Sequence, residues 1–321
     1  MNYKPILIVA GEPNSIFLEI FFKALKYKKF KSPLIIVVSQ KLLIKQMQNL
    51  NFIYKINLID KKYKDFKNLN NSKINIINVD HFFKKPFQKI SKKSNIYINN
   101  CFDIALEFLN ENKLSKLING PISKNYFLNG KLPGITEYLA KKTGKDNNVA
   151  MLIYNKKLSV SPVTTHLALK EVHKNISAEK IINHIELIVK FYKRNFKKIP
   201  KIAITGLNPH CESNFKSSEE DRYIKPAIKA LIKKNLKIKG PFAADTIFMN
   251  KHLKKYDVIV GMYHDQVLTP LKSLFGFDAI NITLGLPFTR ISPDHGPNHS
   301  MLGKNISDPK SLIEALKFLD K

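Results

Sequence analysis

The chain has 321 residues, 54 of them basic and 25 acidic, for a formal net charge of +29 at neutral pH. Its 44% apolar and 10% aromatic residues are enough for about two compact domains, which excludes global disorder, and no apolar run approaches the ~20 residues that span a bilayer. All but three of the basic residues are lysines spread through every segment, the arginines being Arg194, Arg222 and Arg290, so a solvated cationic surface is expected rather than specific nucleic-acid binding.

Short β-branched runs alternate with helical patterns, which predicts a mainly parallel α/β sheet covered by helices. In chain order the predicted strands run Ile6 to Ala10, Leu34 to Val38, Ile74 to Val79, Leu117 to Asn119, Ala150 to Tyr154, Leu158 to Val163, Ile202 to Thr205, Val258 to Met262 and Ala279 to Leu284. Several are continuous apolar runs, as strands buried on both faces require. A helix is predicted from about Tyr97 to Asn112, with Cys101, Ile104, Ala105 and Phe108 on one face. That placement makes Cys101 a core residue rather than a reactive thiol. A second is predicted over Ala178 to Asn195, where Ile181, Ile182, Ile185, Ile188 and Phe191 recur at helical spacing behind a Ser177 N-cap.

The Lys/Asn-rich stretch from Lys61 to Ser94 reads as decoration of one domain rather than a linker. There is no internal repeat and no Pro/Gly/Ser-rich tether, so two domains would share the sheet or exchange the chain more than once. Cys101 and Cys211 are too few for a disulfide framework, and the start of the chain has no cleavage-site pattern, so a cytoplasmic protein is expected. The turn after the first strand, Gly11-Glu12-Pro13-Asn14-Ser15-Ile16-Phe17, has one glycine, so a dinucleotide would not be held by the usual G-x-G-x-x-G turn.

Three of the nine histidines follow predicted strands in polar turns: His166, His210 and His264. Taken singly, each is more often a surface or satisfied core imidazole than a ligand. Together they fit the rule that sites in open α/β sheets form beyond the carboxyl ends of strands, and three imidazoles with an open position suit Zn²⁺ or a similar divalent ion. Asp245, Asp265, Lys272, Asn281, Arg290, Asp294 and His295 crowd into the same part of the chain. There Lys272 suits a base or proton shuttle and Arg290 a phosphate or carboxylate partner, although each is also compatible with a solvated loop.

These residues carry a resemblance. Gly11-Glu12-Pro13 with Glu19, Asn119 to Lys124, Gly134-Ile135-Thr136-Glu137, Val163 to His166 and Gly206 to His210 are collinear with motifs of the PdxA family, the 4-hydroxythreonine-4-phosphate dehydrogenases. So are Ala244-Asp245-Thr246, Tyr263-His264-Asp265-Gln266, Asn281 to Phe288 and Asp294-His295-Gly296. The chain resembles that family over nearly its whole length. The resemblance implies an isocitrate/isopropylmalate dehydrogenase-like fold of two α/β/α domains with the active site in the cleft between them. The first domain would take residues 1–128 plus 285–321, and the second, with the metal ligands and dimer interface, residues 129–284.

It further implies that His166, His210 and His264 hold a catalytic divalent metal (Zn, Mg or Co), shared across a homodimer. Thr136, Lys272, Asn281 and Arg290 would bind the phosphorylated substrate, Lys272, Asp245 and Asp265 would act at the reacting centre, and His295 and Gly296 would contact NAD, with NADP possible. The implied reaction oxidises 4-phosphooxy-L-threonine to 2-amino-3-oxo-4-phosphooxybutanoate. That acid loses CO₂ to give 3-amino-2-oxopropyl phosphate on the way to pyridoxal phosphate (vitamin B6).

The chain departs from the family where a substrate-binding histidine would precede Thr136, since Ile135 stands there. Losing such a donor leaves a facing polar group short of a partner, at about 1–3 kcal/mol. A related four-carbon acid phosphate, 4-phospho-D-threonate or 4-phospho-D-erythronate, is therefore an alternative substrate. Loops at Asn14 to Phe17, Cys211 to Phe215 and Pro297 to Asn305 lack the family's glycines or cofactor pattern, which leaves a catalytically weakened metal-binding relative as a further alternative.

Overall fold

The computed structural model of the chain describes residues 3–128, 132, 134–145, 148–212, 218–276, 279–293 and 295–320. Its strands are β1 (Ile6–Val9), β2 (Leu34–Val38), β3 (Ile56–Leu58), β4 (Ile74–Asn78), β5 (Lys116–Asn119), β6 (Ala150–Tyr154), β7 (Ser159–Pro162), β8 (Ile202–Thr205), β9 (Ile238–Phe242), β10 (Val258–Gly261), β11 (Ile280–Leu284) and β12 (Thr289–Pro293). The chain divides into two compact units, Met1–Ile135 with Pro287–Lys321, and Thr136–Leu286.

In the first unit the strand order is β3-β4-β2-β1-β5-β12, every neighbour parallel. Ile6, Leu7, Ile8 and Val9 are all fully buried, because a central parallel strand is covered on both faces. Helix Phe17–Tyr27 buries Phe17, Ile20, Phe21 and Phe22. Helix Asn95–Glu111 buries Tyr97, Cys101, Phe102, Ala105 and Phe108, while Ile104 lies only half-buried. Burial pushes the Cys101 thiol up to about 12, so it is a packing residue.

In the second unit the order is β11-β6-β7-β10-β8-β9. The pairs β11/β6 and β6/β7 are antiparallel, whereas β7, β10, β8 and β9 run parallel. Met151, Ile153, Val160, Ala203, Ile259 and Val267 form its core with neighbours from the flanking helices. Helix Ala178–Phe196 begins where the Ser177 side chain accepts the Lys180 amide and ends at Phe196, one residue beyond the predicted Asn195, with left-handed Lys197 as its C-cap. Its inward stripe includes Ile181, Ile185 and Ile188, with His184 in the same face.

The nine predicted strands are present. β3, β9 and β12 were not predicted: β3 and β9 are short end strands of partly exposed residues, and β12 carries Arg290 and a proline where an apolar run is normally read. The segment from Lys61 to Ser94 is not mere decoration, since it supplies β4, which pairs with both β2 and β3. Among the described residues no helix is long and apolar enough to cross a membrane.

Candidate active site

The four parallel strands of the second unit each deliver a candidate residue just past their carboxyl ends. His166 follows β7, His264 and Asp265 follow β10, His210 follows β8 and Asp245 follows β9. Neighbouring parallel strands end on one edge, so their loops emerge side by side. The rings of His166 and His264 face each other with centroids 5.9 Å apart and planes inclined at 38°. His210 has φ +55° and Cys211 φ +61°, so the β8 loop coils through two left-handed residues. His166 and His210 are exposed, and His264 is half-buried. Among the described residues no three His, Cys, Asp or Glu side chains gather closely enough in one chain to hold a metal ion.

Buried polar side chains tie these loops together. Thr164 Oγ1 donates to the Met262 carbonyl at 2.7 Å, joining the β7 and β10 loops. Gln266 Oε1 accepts from the Met262 amide at 2.6 Å and from Thr205 Oγ1 at 2.9 Å, and its Nε2 donates to the Gly206 carbonyl at 2.8 Å, joining the β10 and β8 loops. Fully buried Glu220 accepts the Leu207 and Asn208 amides, each at 2.8 Å, and the Asn208 side chain at 2.9 Å. Burial alone would raise the Glu220 carboxyl, yet these donors hold it below the usual range. Sequence reasoning gave no role to Thr164, Glu220 or Gln266. The available signals were Thr164 within the Val163 to His166 block and Gln266 within the Tyr263-His264-Asp265-Gln266 block, whereas Glu220 sits in an acidic run with no informative spacing.

By residue type, three imidazoles with carboxylates beside them match the ligands that divalent ions such as Zn²⁺ take. His264 Nδ1 lies 2.7 Å from Asp265 Oδ1, an arrangement that orients the ring and turns Nε2 away from the carboxylate. Asp245 is exposed at the start of helix Ala244–Ile247. Burial raises the neighbouring Cys211 thiol, with the carboxylates of Glu220 and Asp245 adding to the effect.

Of the predicted substrate residues, Thr136 and Asn281 lie close together in the second unit. Thr136, in the first turn of helix Ile135–Lys142, is buried, and its hydroxyl is 3.3 Å from that of Thr283. Thr283 is two positions from Asn281 on β11, hence on the same strand face. Asn281 Oδ1 is shielded from water and has no hydrogen-bond partner. Glu137, another residue without an assigned role at sequence level, accepts from Thr165 Oγ1 at 3.4 Å beside His166, while its Oε2 is buried without a partner. Lys272 is exposed on helix His264–Phe275, two turns beyond Asp265.

Arg290 belongs to the first unit. It is fully buried on β12, and its Nε donates to Asn119 Oδ1 at 2.6 Å. Asn119 lies at the end of β5, and a side chain on the following Gly120 would run into the Ala10 carbonyl and the Phe17 ring, so glycine is required at that approach. The first loop, from Asn14 to Phe17, is packed shut: Ser15 Oγ donates to the Glu12 carbonyl at 2.7 Å, and Ile16 and Phe17 are buried. Glu12 is also buried, which raises its carboxyl. A loop of this kind offers no amide cradle for pyrophosphate. His295 is half-buried with Nδ1 2.9 Å from the Gly296 carbonyl, and Gly296 is exposed. Asp294 and residues 213–217, within which most of the altered loop after His210 falls, lie outside the described residues.

The chain has an α/β fold of the isocitrate dehydrogenase-like class. The solved isocitrate dehydrogenase from Methylococcus capsulatus shares that fold at a TM-score of 0.51 and 11% identity, over 97% of this chain and 83% of that one. The family described as pyridoxal phosphate biosynthetic protein PdxA matches residues 29–319, and the chain belongs to that family. It is 40% identical to a 4-hydroxythreonine-4-phosphate dehydrogenase from Sulfurihydrogenibium sp., covering 97% of this chain and 96% of the relative. A relative from Oceanobacillus iheyensis, provisionally named D-threonate 4-phosphate dehydrogenase, is 33% identical over 98% of this chain and 97% of its own length. The crystal structure of 4-hydroxythreonine-4-phosphate dehydrogenase from Klebsiella pneumoniae superposes with a TM-score of 0.83 at 28% identity, covering 99% of this chain and 97% of that chain.

Proposed function

We propose that the protein is a metal-dependent, nicotinamide-linked 4-hydroxythreonine-4-phosphate dehydrogenase. It oxidises the C3 hydroxyl of 4-phosphooxy-L-threonine to the ketone, transferring hydride to NAD, and the resulting β-keto acid loses CO₂ to give 3-amino-2-oxopropyl phosphate for pyridoxal phosphate synthesis. The observation that carries this reading is the placement of His166, His264 and His210 beyond the adjacent parallel strands β7, β10 and β8. The protein works in the cytoplasm as a homodimer, whose second copy completes the ligand set through the second unit.

When bound, a divalent ion (Zn²⁺, Mg²⁺ or Co²⁺) at these imidazoles supplies a Lewis acid that acidifies a substrate hydroxyl, and NAD supplies the hydride acceptor. Arg290, Lys272, Thr136 and Asn281 bind the phosphorylated substrate, the two cations matching its anionic charge. Lys272 takes the hydroxyl proton, while Asp245 and Asp265 orient polar groups at the reacting centre. His295 and Gly296 contact the nicotinamide cofactor.

A second reading keeps the machinery and changes the substrate to 4-phospho-D-threonate or 4-phospho-D-erythronate. Ile135 favours it, because an apolar side chain there cannot hydrogen-bond the substrate. Nicotinamide reduction by metal-loaded protein, with each of the three phosphates and a chelator control, separates the readings. Chelator-sensitive preference for the threonine phosphate supports the first and preference for a sugar-acid phosphate the second. Absence of turnover despite bound metal would refute both.

A further inference from the structure

We propose that Gln266 is a positioning residue for the metal site: its carboxamide sets the spacing between the β10 loop bearing His264 and the β8 loop bearing His210. The proposal rests on the reading of His166, His210 and His264 as ligands. Gln266 is buried and reaches back from the first turn of helix His264–Phe275 to the end of the strand before it. Its oxygen accepts from the Met262 amide and the Thr205 hydroxyl, and its nitrogen donates to the Gly206 carbonyl. One side chain therefore bonds the backbone two residues before His264 and the backbone four residues before His210. A side chain on Gly261 would collide with Gln266 Oε1 and Val267, so the glycine at the end of β10 makes room for this return.

On the opposite side of β10, Thr164 donates to the Met262 carbonyl two residues before His166. Met262 thus donates its amide to Gln266, which is itself bonded to Thr205 and Gly206 of the β8 side, and offers its carbonyl to Thr164 of the β7 side, so the three histidine loops are linked through Met262 and Gln266. A planar amide with a donor and an acceptor at a fixed separation is suited to this, because replacing it strands buried partners and frees both loops together. Outer groups that orient metal ligands typically contribute 10–100-fold to metal affinity.

The test is Co²⁺ binding to metal-free full-length protein, by chelator competition and by the visible d–d absorption of the bound ion, for Gln266→Met, Thr205→Val, Thr164→Val and His264→Ala. The expected result is a roughly 10–100-fold weaker Co²⁺ complex with an altered d–d spectrum for Gln266→Met. The milder Thr205→Val and Thr164→Val variants, which read the same network should Gln266→Met not fold, should each weaken binding and alter the spectrum to a smaller degree. Amide exchange at Met262 in the metal-free protein should accelerate in Gln266→Met. Wild-type affinity and spectrum in folded Gln266→Met, with weakened binding in His264→Ala, would overturn the role of Gln266 and leave the ligand reading intact. Undiminished binding in His264→Ala would overturn the ligand reading and this proposal with it. A lowered melting temperature with unchanged Co²⁺ binding would reduce Gln266 to a structural residue and also overturns the proposal.

Discussion

The imidazole of His264 and the carboxylate of Asp265, adjacent in sequence, lie 2.7 Å apart through Nδ1 and Oδ1. A carboxylate accepts, so Nδ1 carries the hydrogen and Nε2 keeps the lone pair that a metal requires. His264 is 35% and Asp265 78% exposed by side chain, so the pair sits at the protein surface and contributes little to stability. Its consequence is for the ring's tautomer and orientation.

Replacing Asp265 with Ala is therefore expected to weaken divalent-ion binding by about 10–100-fold with an unchanged melting temperature. Removing the proposed ligand itself, as in His264→Ala, is expected to cost more than that and to abolish turnover. Elemental analysis after dialysis against a defined metal buffer checks both. Wild-type metal content in His264→Ala would remove this residue from the ligand set.

Arg290→Lys retains the charge but loses the planar guanidinium whose Nε reaches Asn119 at 2.6 Å. An ammonium on a flexible stem does not reproduce that geometry, and the buried Asn119 oxygen is left unpaired at about 1–3 kcal/mol. The expected outcome is a KM for the phosphorylated substrate raised at least tenfold together with a lower urea midpoint. A KM equal to that of the wild type would mean that Arg290 serves the fold of the first unit and not the substrate.

Ile135→His places an imidazole one residue before Thr136, in the first turn of helix Ile135–Lys142. With that position facing substrate, kcat/KM should shift by about fivefold between 4-phosphooxy-L-threonine and the sugar-acid phosphates, since one new hydrogen bond contributes on the order of 1 kcal/mol. Steady-state kinetics with the three substrates reads this directly, and an unchanged ratio would assign specificity elsewhere.

His184 offers a pH test of stability away from the candidate site. Its Nε2 is 2.6 Å from Ser161 Oγ, which itself donates to the Met151 carbonyl, so the neutral ring is the donor. Burial, with the Lys180 charge adding to it, holds the His184 pKa down to about 4 against an ordinary 6.5. Between those values the unfolded chain binds a proton that the folded chain refuses. The contribution of the neutral ring is thus complete above pH 6.5 and is lost as pH falls toward 4, by about 3 kcal/mol in all. Urea midpoints from pH 7 to 4.5 should fall steeply for the wild type and more gently for His184→Gln; parallel curves would contradict the assignment.

The elements were legible because burial on both faces leaves its mark in the chain itself: β1 and β2 are unbroken aliphatic runs, and the Ile181, Ile185 and Ile188 stripe follows the helical period whatever it packs against. β3, β9 and β12 were illegible for the converse reason, since end strands and a strand carrying a buried arginine do not bury apolar side chains on alternate or continuous positions. The three histidines and the acidic residues near them were visible as residue types after strands. Their neighbourhood was not. β10 lies between β7 and β8 although both precede it by many residues, and only the parallel pairing of those three strands puts His166 opposite His264. The bonding roles of Gln266, Thr164 and Glu220 emerged only from the folded chain, because a buried amide, hydroxyl or carboxylate takes its role from the partners that folding brings to it. Composition and period determined which segments form strands and helices; long-range strand pairing decided which loops meet, because hydrogen bonds between parallel strands join segments that no local pattern connects.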